Sequence, residues 1–296
     1  MKKIKTLFLA FLILLSACSN VFQSASKQQF DEAYYVNAQV AIDAQDWDTA
    51  IAEFEKMSAN YQARTDVKEA WAGAYAGKCG FNFATFLGNI DSVSGGSPIL
   101  KILMNMFTTV TVDPYYCYLA QTKMEEITTV AGDRTTSQAL FLVFIGLARI
   151  GAYLKAQADQ DADTNMDGTF DACTPVGSYG ATTAARSTSG RDDEFSNEEI
   201  KMLITGFGLV FENLTSSVEN IIGTTNGSAI SAIETACNAA LGAGACNITD
   251  PTNSNPLTPS VVTTFRALIH TGAGNPVAFG AGSCVNPMFD PGCCPP

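Results

Sequence analysis

The segment Thr136–Ala158 constrains the fold more than any other part of the chain, because it is apolar on nearly every side. Gly146 and Gly151 within it permit neighbouring helices to approach closely. A helix of this composition is normally buried in a core. Arg149 interrupts the apolar run after about ten residues, short of the roughly twenty that a membrane-spanning helix needs. We therefore predict a buried central helix in an all-α fold.

Capping patterns indicate where the other helices begin. A Ser or Thr followed three residues later by Glu or Gln forms a capping box, and Pro suits the first position of a helix. The capping boxes are Ser26 with Gln29, Thr135 with Gln138, and Ser196 with Glu199; the cap-Pro pairs are Ser97–Pro98, Asp113–Pro114 and Thr258–Pro259. The predicted helices span about residues 26–44, 47–57, 136–158, 197–222, 228–241 and 259–271, with a linker at 247–256.

An acidic loop follows the apolar helix. Counting Asp163 as position 1, oxygen-bearing side chains recur at alternate positions, and Gly168 stands at position 6, where a calcium loop turns sharply. Hard oxygen donors favour calcium over a transition metal. The alternative is a solvated acidic linker in which Gly168 serves a turn. The predicted calcium ligands are Asp163, Asn165, Asp167, Thr169 and Asp171, with Asp159 and Asp161 as possible additions.

The run from Asp163 to Cys173 resembles the thrombospondin type 3 repeat, in which Asp and Asn alternate before Gly and an Asp-Ala-Cys closes the unit. Its spacing also resembles the EF-hand loop. Thr174 stands where the EF-hand has a bidentate acid, so further oxygens must come from elsewhere. The resemblance implies a structural calcium ion bound with the weak affinity that suffices outside the cell.

The amino terminus has the pattern of an export signal. Three lysines precede the apolar run Leu7–Leu15, which is too short to remain as a membrane span. The following Leu15-Ser16-Ala17-Cys18 resembles the lipobox of bacterial lipoproteins. The resemblance implies cleavage before Cys18, lipidation of its thiol and acylation of its amine, and Ser19 implies transfer to the outer membrane. The alternative is a secreted protein in which the cysteine occurs by chance.

Eight cysteines remain after Cys18, and an even number in an exported protein indicates disulfides. The likeliest local bridge is Cys237–Cys246, which closes a Gly-containing turn, and Cys79–Cys117 would tie neighbouring helices. Zinc is disfavoured because the chain has no C-x-x-C pair and a single histidine, His270. The disulfide candidates are Cys79, Cys117, Cys173, Cys237, Cys246, Cys284, Cys293 and Cys294.

The segment from Asp46 to Lys56 resembles the second helix of a tetratricopeptide repeat, with Ala50 and Phe54 at the family's small and large packing positions. Ala38 occupies the small position of the first helix, and the family period of about 34 residues leads from it to Ala72. The resemblance implies an array of helical hairpins with a concave binding face. A helical hairpin that matches by chance is the alternative.

The composition excludes several functional classes. The formal net charge of −12 argues against nucleic-acid binding. No phosphate loop, dinucleotide fingerprint, nucleophile elbow or zinc-protease motif occurs. The adjacent carboxylates Glu125 and Glu126 are interpreted as solvated surface, because neighbours in sequence do not face each other on a helix. We therefore expect a protein that is not an enzyme.

These patterns together predict an all-α fold: a tetratricopeptide-like helical hairpin array with a calcium-loop insertion and a disulfide-stapled carboxyl-terminal region. The predicted function is a non-catalytic periplasmic lipoprotein of the outer membrane that binds a protein or peptide. Contact residues are sought at Trp47, Phe54, Trp71 and Tyr75, although core packing is favoured for each. The predicted segments are a signal peptide (1–17), a lipidated cysteine and tether (18–26), a helical-repeat region (27–158), a calcium-type loop and flexible linker (159–195) and a helical region with a disulfide-rich tail (196–296).

The alternative function is a ligand-binding accessory subunit of a solute transport system, with an apolar ligand beside the central helix. In outline the chain resembles the helical-repeat lipoproteins that accompany tripartite solute transporters. Bound small molecules would favour this alternative, whereas a stable protein partner would favour the scaffold.

Overall fold

The computed structural model describes residues 19–82, 99–107, 112–158, 195–253, 255 and 257–269 of the 296-residue chain. Of these residues, 77% are α-helical and none lies in a strand, so the prediction of an all-α fold is confirmed at that level. The predicted signal peptide, Cys18, the acidic calcium-type loop and the carboxyl-terminal tail lie outside the described residues. The chain divides into two compact units, Met1–Ala74 and Tyr75–Pro296.

The first unit is built on a helical hairpin. Its first helix is longer than the sequence predicted, since it begins at Ser19 and continues through Ser26. The predicted helix start near Ser26 is therefore wrong. The physical reason is that no Gly or Pro interrupts the chain between residues 19 and 43. The helices of this unit are α1 (Ser19–Asp43), α2 (Trp47–Lys56), the short α3 (Ala59–Gln62) and α4 (Thr65–Lys78), which runs past the unit boundary.

The turn between α1 and α2 forms where the sequence predicted it. Gln45 adopts a positive φ of 58°, and the side chain of Asp46 caps α2 by accepting a hydrogen bond from the Thr49 backbone N–H at 3.1 Å. Asp31 on α1 accepts two hydrogen bonds from Ser58, at 2.7 Å from its N–H and 2.6 Å from its hydroxyl. These polar contacts fix α1 against the chain that follows α2.

The second unit is organised around one buried helix. This helix, α7, begins and ends at the predicted residues, and Thr135 and Gln138 form the predicted capping box. It packs against α5 (Ile99–Asn105), α6 (Pro114–Glu125) and α8 (Asn197–Asn213), which confirms the prediction of a central helix. The helices are α5 (Ile99–Asn105), α6 (Pro114–Glu125), α7 (Thr136–Ala158), α8 (Asn197–Asn213), α9 (Ser216–Ile222), α10 (Thr224–Leu241) and α11 (Pro259–Ile269), with 3-10 turns at Ala131–Asp133 and Ala245–Asn247.

Glycines let the helices of the second unit approach one another. A Cβ on Gly146 of α7 would lie 2.7 Å from the carbonyl oxygen of Gly206 on α8. A Cβ on Gly151 would collide with the backbone of Leu103 on α5. Within the described residues, one stretch, Thr136–Ala156, is long and apolar enough to cross a membrane. Arg149 therefore does not by itself exclude a membrane-spanning helix. The stretch is nevertheless largely buried inside the protein, as a core helix is.

Two sequence predictions for the second unit are wrong in detail. The predicted long helix to residue 222 is two helices, α8 and α9, because Thr215 adopts an extended conformation and caps α9 by accepting from the Val218 N–H at 3.3 Å. The start of the predicted linker at 247–256 is packed: Ile248 lies against Gly208, and the carbonyl of Thr249 accepts a hydrogen bond from Gln121 at 3.3 Å. Propensity read from the sequence did not include these tertiary contacts.

The two cysteine pairs singled out from the sequence lie at disulfide distance. The Cα atoms of Cys79 and Cys117 are 5.2 Å apart, and those of Cys237 and Cys246 are 6.1 Å apart. Cys117 belongs to α6, so the first pair ties this helix to the end of α4. The second pair closes the turn after α10. The remaining candidates, Cys173, Cys284, Cys293 and Cys294, lie outside the described residues.

Candidate functional site

The aromatic residues proposed as contacts serve mainly as packing. Phe54 and Trp71 are buried and stack with ring centroids 5.5 Å apart and an interplanar angle of 13°. Trp47 is half-buried. Tyr75 is also half-buried and lies 5.8 Å from the ring of Tyr116. These residues form the interior and its margin, so a binding surface must be sought elsewhere.

Helix α1 carries an unusual set of exposed apolar side chains. Phe30 is 61% exposed, Val36 53% and Val40 63%. They are three of the six large apolar residues that stand exposed in the described part of the chain, so half of this set lies on one helix. Together with the exposed Ala33 they form a surface that we term the α1 apolar row: Phe30, Ala33, Val36 and Val40.

The α1 apolar row faces away from the hairpin core. At roughly 100° per residue, its four members fall within about one third of the helix circumference. The opposite face carries Asp31 and Ala38, which are buried in the hairpin. The hairpin is therefore closed without using the row. Exposed apolar side chains grouped on one helix face, here beside the exposed Asn37, are typical of a site that another molecule covers.

A second candidate is a polar cluster inside the second unit. Arg149 of α7 is fully buried. Its Nη1 donates a hydrogen bond to Oε1 of Gln121 on α6, and its Nη2 donates to the Thr205 hydroxyl on α8 at 2.8 Å. The Nε has no hydrogen-bond partner. Burial lowers the pKa of this guanidinium to about 10, although the nearby Tyr153 and Glu125 oppose the shift.

Gln121 extends the cluster toward the surface. Its amide nitrogen donates to Oε1 of Glu125 at 2.9 Å. Burial raises the pKa of the Glu125 carboxyl, against the opposing effects of the Gln121 hydrogen bond and of Arg134. Glu125 is half-buried and not the fully solvated residue that the sequence predicted, whereas the neighbouring Glu126 is more exposed and pairs with Lys123 at 2.8 Å. The two neighbouring glutamates differ in exposure because successive side chains on a helix point about 100° apart.

Arg134 closes the outer end of the cluster. Its Nη1 lies 2.7 Å from Oε2 of Glu212 and 2.7 Å from Oδ1 of Asn213, both at the end of α8. Its Nη2 lies 3.9 Å from the Glu125 carboxylate. The chain from Arg149 to Glu212 thus links α6, α7 and α8 through polar side chains. The contacts in this cluster are made mainly among its own members, so it braces the helices.

Comparisons with known protein families, curated proteins and solved structures find no match for this chain. The candidate sites therefore rest on the geometry of the chain itself.

The predicted metal ligands and lipidation site lie outside the described residues. These are the acidic-loop residues, the possible additional ligands Asp159 and Asp161, and Cys18. Among the residues that the structure does describe, no group of three or more His, Cys, Asp or Glu side chains is placed to hold a metal ion. Calcium binding by the loop stays a prediction, and the α1 apolar row is the surface that the structure adds.

Proposed function

We propose that this chain is a non-catalytic helical scaffold that binds a protein or peptide partner on the α1 apolar row. The observation that supports the proposal is the exposure of Phe30, Val36 and Val40 on a helix whose other face already closes a packed hairpin. Leaving a valine side chain in water rather than burying it costs about 1.5 kcal/mol or more. A partner that covers the row would recover that free energy.

The tetratricopeptide resemblance supports the same proposal. Ala38, Ala50 and Phe54, which the resemblance assigns to packing positions, are all buried. Ala72 lies one family period after Ala38 and is buried in α4. In stacked helical hairpins one helix of each pair faces a concave surface that takes up partners. The α1 apolar row lies on the first helix of this hairpin.

The proposed location is the outer membrane, where Cys18 holds the chain by its lipid. The lipobox-like Leu15–Cys18 supports this part of the proposal. Helix α1 begins at Ser19, immediately after that cysteine. Val36 then lies about 25 Å along the helix from the anchor. A partner is therefore expected to be another component of the periplasm or of the same membrane.

Photocrosslinking tests the proposal directly. A photoreactive amino acid is placed at Val40 in the full chain, expressed in its own cells, and crosslinked products are separated by mass. We expect one discrete product at this position and none when the probe is placed at Val130, which is 56% exposed in the second unit. The absence of any product at Val40, or the same product at Val130, would contradict the proposal.

Calcium is proposed as a structural ion in the acidic loop. The alternating oxygen side chains and Gly168 support it. Replacing Asp163 and Asp167 together by Ala should lower the melting temperature only when calcium is present, because an ion stabilises the folded state by its binding free energy. An equal loss in the presence of a chelator would show that the loop does not bind calcium.

A further inference from the structure

The chemistry of the α1 apolar row is set by what lies beside it. Glu32 is exposed and lies four residues before Val36, and Asp43 is exposed and lies three residues after Val40. Residues at these spacings are neighbours on a helix surface. Both carboxylates fall on the same edge of the row, because they lie about 20° apart around the helix axis. The row is therefore bordered along one side by negative charge.

Basic groups do not balance this edge between Phe30 and Asp43. The sequence from Phe30 to Asp43 contains no Lys, Arg or His. The nearest cation on α2 is Lys56, whose ammonium pairs with Glu53 and lies 5.9 Å from the ring centroid of Tyr34. Tyr34 lies on the side of the row opposite the two carboxylates. Arg64 also interacts electrostatically with Glu32, but its guanidinium already pairs with Asp66 at 2.6 Å. The acidic edge thus keeps its negative character, since both cations are engaged by other carboxylates.

One of the two carboxylates is held in place. The hydroxyl of Tyr61 donates a hydrogen bond to Oε2 of Glu32. This contact fixes the Glu32 side chain at the edge of the row before any partner arrives. A charged side chain that is already ordered loses less conformational entropy on binding than a mobile one does. The edge is therefore suited to a specific charged contact.

We propose that the occupant of the α1 apolar row is an amphipathic helix with a basic edge. Its apolar side chains would cover Phe30, Val36 and Val40, and its Lys or Arg side chains would face Glu32 and Asp43. This inference rests on the proposed scaffold function and names the class of partner. Complementary charge beside an apolar contact mainly sets specificity and association rate.

The same charges disfavour the other occupants. A second copy of this chain packed antiparallel through the same row brings its own Glu32 and Asp43 toward the first pair, and like charges repel. A parallel copy keeps the two acidic edges apart, and self-association of the free chain would reveal it and overturn the basic-helix inference. An anionic lipid surface attracts basic segments and is repelled by an acidic edge. A basic helix is the occupant that satisfies both the apolar and the charged parts of the surface.

Two synthetic helices of eighteen residues test the inference. Both carry leucines on one face; one carries lysines on the other face, and the second carries glutamates. Fluorescence anisotropy measures binding of each helix to the full chain in neutral detergent at low salt. We expect the lysine helix to bind at least about tenfold more tightly than the glutamate helix, and its affinity to fall as salt rises.

Substitutions in the full chain assign that binding to the row. Glu32→Gln with Asp43→Asn, in which Gln keeps an acceptor for Tyr61, should weaken the lysine helix by roughly tenfold. Val36→Asn with Val40→Asn should abolish its binding because the apolar contact is lost and no added charge attracts the lysines. Glu55→Lys, a charge change at an exposed position on α2, is the matched control and should leave the affinity within about twofold.

The outcomes separate this inference from the proposed function. Equal binding of both synthetic helices, lost in the valine double variant, would overturn the basic-edge inference while leaving the row as a docking surface. Binding that survives the valine substitutions would overturn both. If neither helix binds, the basic-helix inference is wrong, and crosslinking at Val40 decides the scaffold function independently.

Discussion

Helices α1 and α7 depart from the usual distribution of residues in opposite directions. Helix α1 exposes large apolar side chains such as Val40, whereas α7 buries the charged side chain of Arg149 completely. Each departure costs free energy unless something compensates for it. For Arg149 the compensation is visible, because Gln121 and Thr205 accept its hydrogen bonds. For α1 the compensation must come from outside the hairpin.

The two helices point to different roles for their exceptional residues. A buried charge that finds its partners within the fold braces the structure, since it links helices that are distant in sequence. An exposed apolar surface opposite a complete core stabilises nothing in the free protein. The cluster around Arg149 should therefore control stability, and the α1 apolar row should control binding.

The largest effect on stability is expected from Gln121→Leu. This change leaves Nη1 of Arg149 buried without its acceptor and removes the hydrogen bond to Glu125, so the free energy of unfolding should fall by about 3 kcal/mol. Urea unfolding measures it. Adding Arg149→Met removes the uncompensated charge and should recover much of the loss. A loss below about 0.5 kcal/mol for Gln121→Leu would show that the cluster does not brace the unit.

A smaller loss is expected where the second unit is most closely packed. Gly208 lies against the backbone of Ile248, so the Cβ of Gly208→Ala would collide with atoms that cannot rotate away. We expect the free energy of unfolding to fall by about 2 kcal/mol. Gly132→Ala is the matched control, because no atom lies within 4 Å of the added Cβ. Equal stability of the two variants would contradict the close contact.

The pH dependence of stability should report the burial of Glu125. Its pKa is raised from the ordinary value of 4.5, so the folded chain holds this proton at pH values where the unfolded chain has lost it. The contribution to stability is thus present below the unfolded-state pKa and is lost as pH rises through the folded-state pKa. Glu125→Gln should remove this decline, and Glu126→Gln should not. Unfolding curves from pH 4 to 8 that decline alike in wild type and Glu125→Gln would contradict the assignment.

The smallest effect on stability is expected in the α1 apolar row. Val36→Asp with Val40→Asp places charges in water, so the free energy of unfolding should change by less than about 0.5 kcal/mol per residue. Ala38→Asp on the buried face of the same helix is the contrasting variant and should destabilise the first unit strongly. Similar losses of unfolding free energy for variants on the two faces of α1 would contradict the claim that the apolar row lies outside the core.

Local signals in the sequence predicted much of the fold. Thr135 and Ser196 cap helices at the predicted places, because a capping side chain bonds to a backbone group only three residues away. The central position of α7 followed from its apolar composition. Two cysteine pairs were also placed correctly, one through a short turn and the other between helices.

Long-range contacts could not be predicted in this way. Arg149 was interpreted as an interruption of the apolar run, yet it is buried because its partners Gln121 and Thr205 lie 28 and 56 residues away in sequence. The partial burial of Glu125 was also missed, because it depends on how the helices pack against each other. The exposed valines of α1 have helical spacing, but the sequence alone does not tell which of two apolar faces of a helix is covered.

The most direct test of the account combines binding and stability in one variant. The crosslinked product at Val40 and the melting temperature are measured for the full chain with and without Val36→Asp. If the α1 apolar row is a binding surface, the crosslinked product disappears in Val36→Asp while the melting temperature stays within about 2 °C of wild type. A product that persists, or a product that disappears only because the protein unfolds, would contradict the claim that the α1 apolar row is a binding surface.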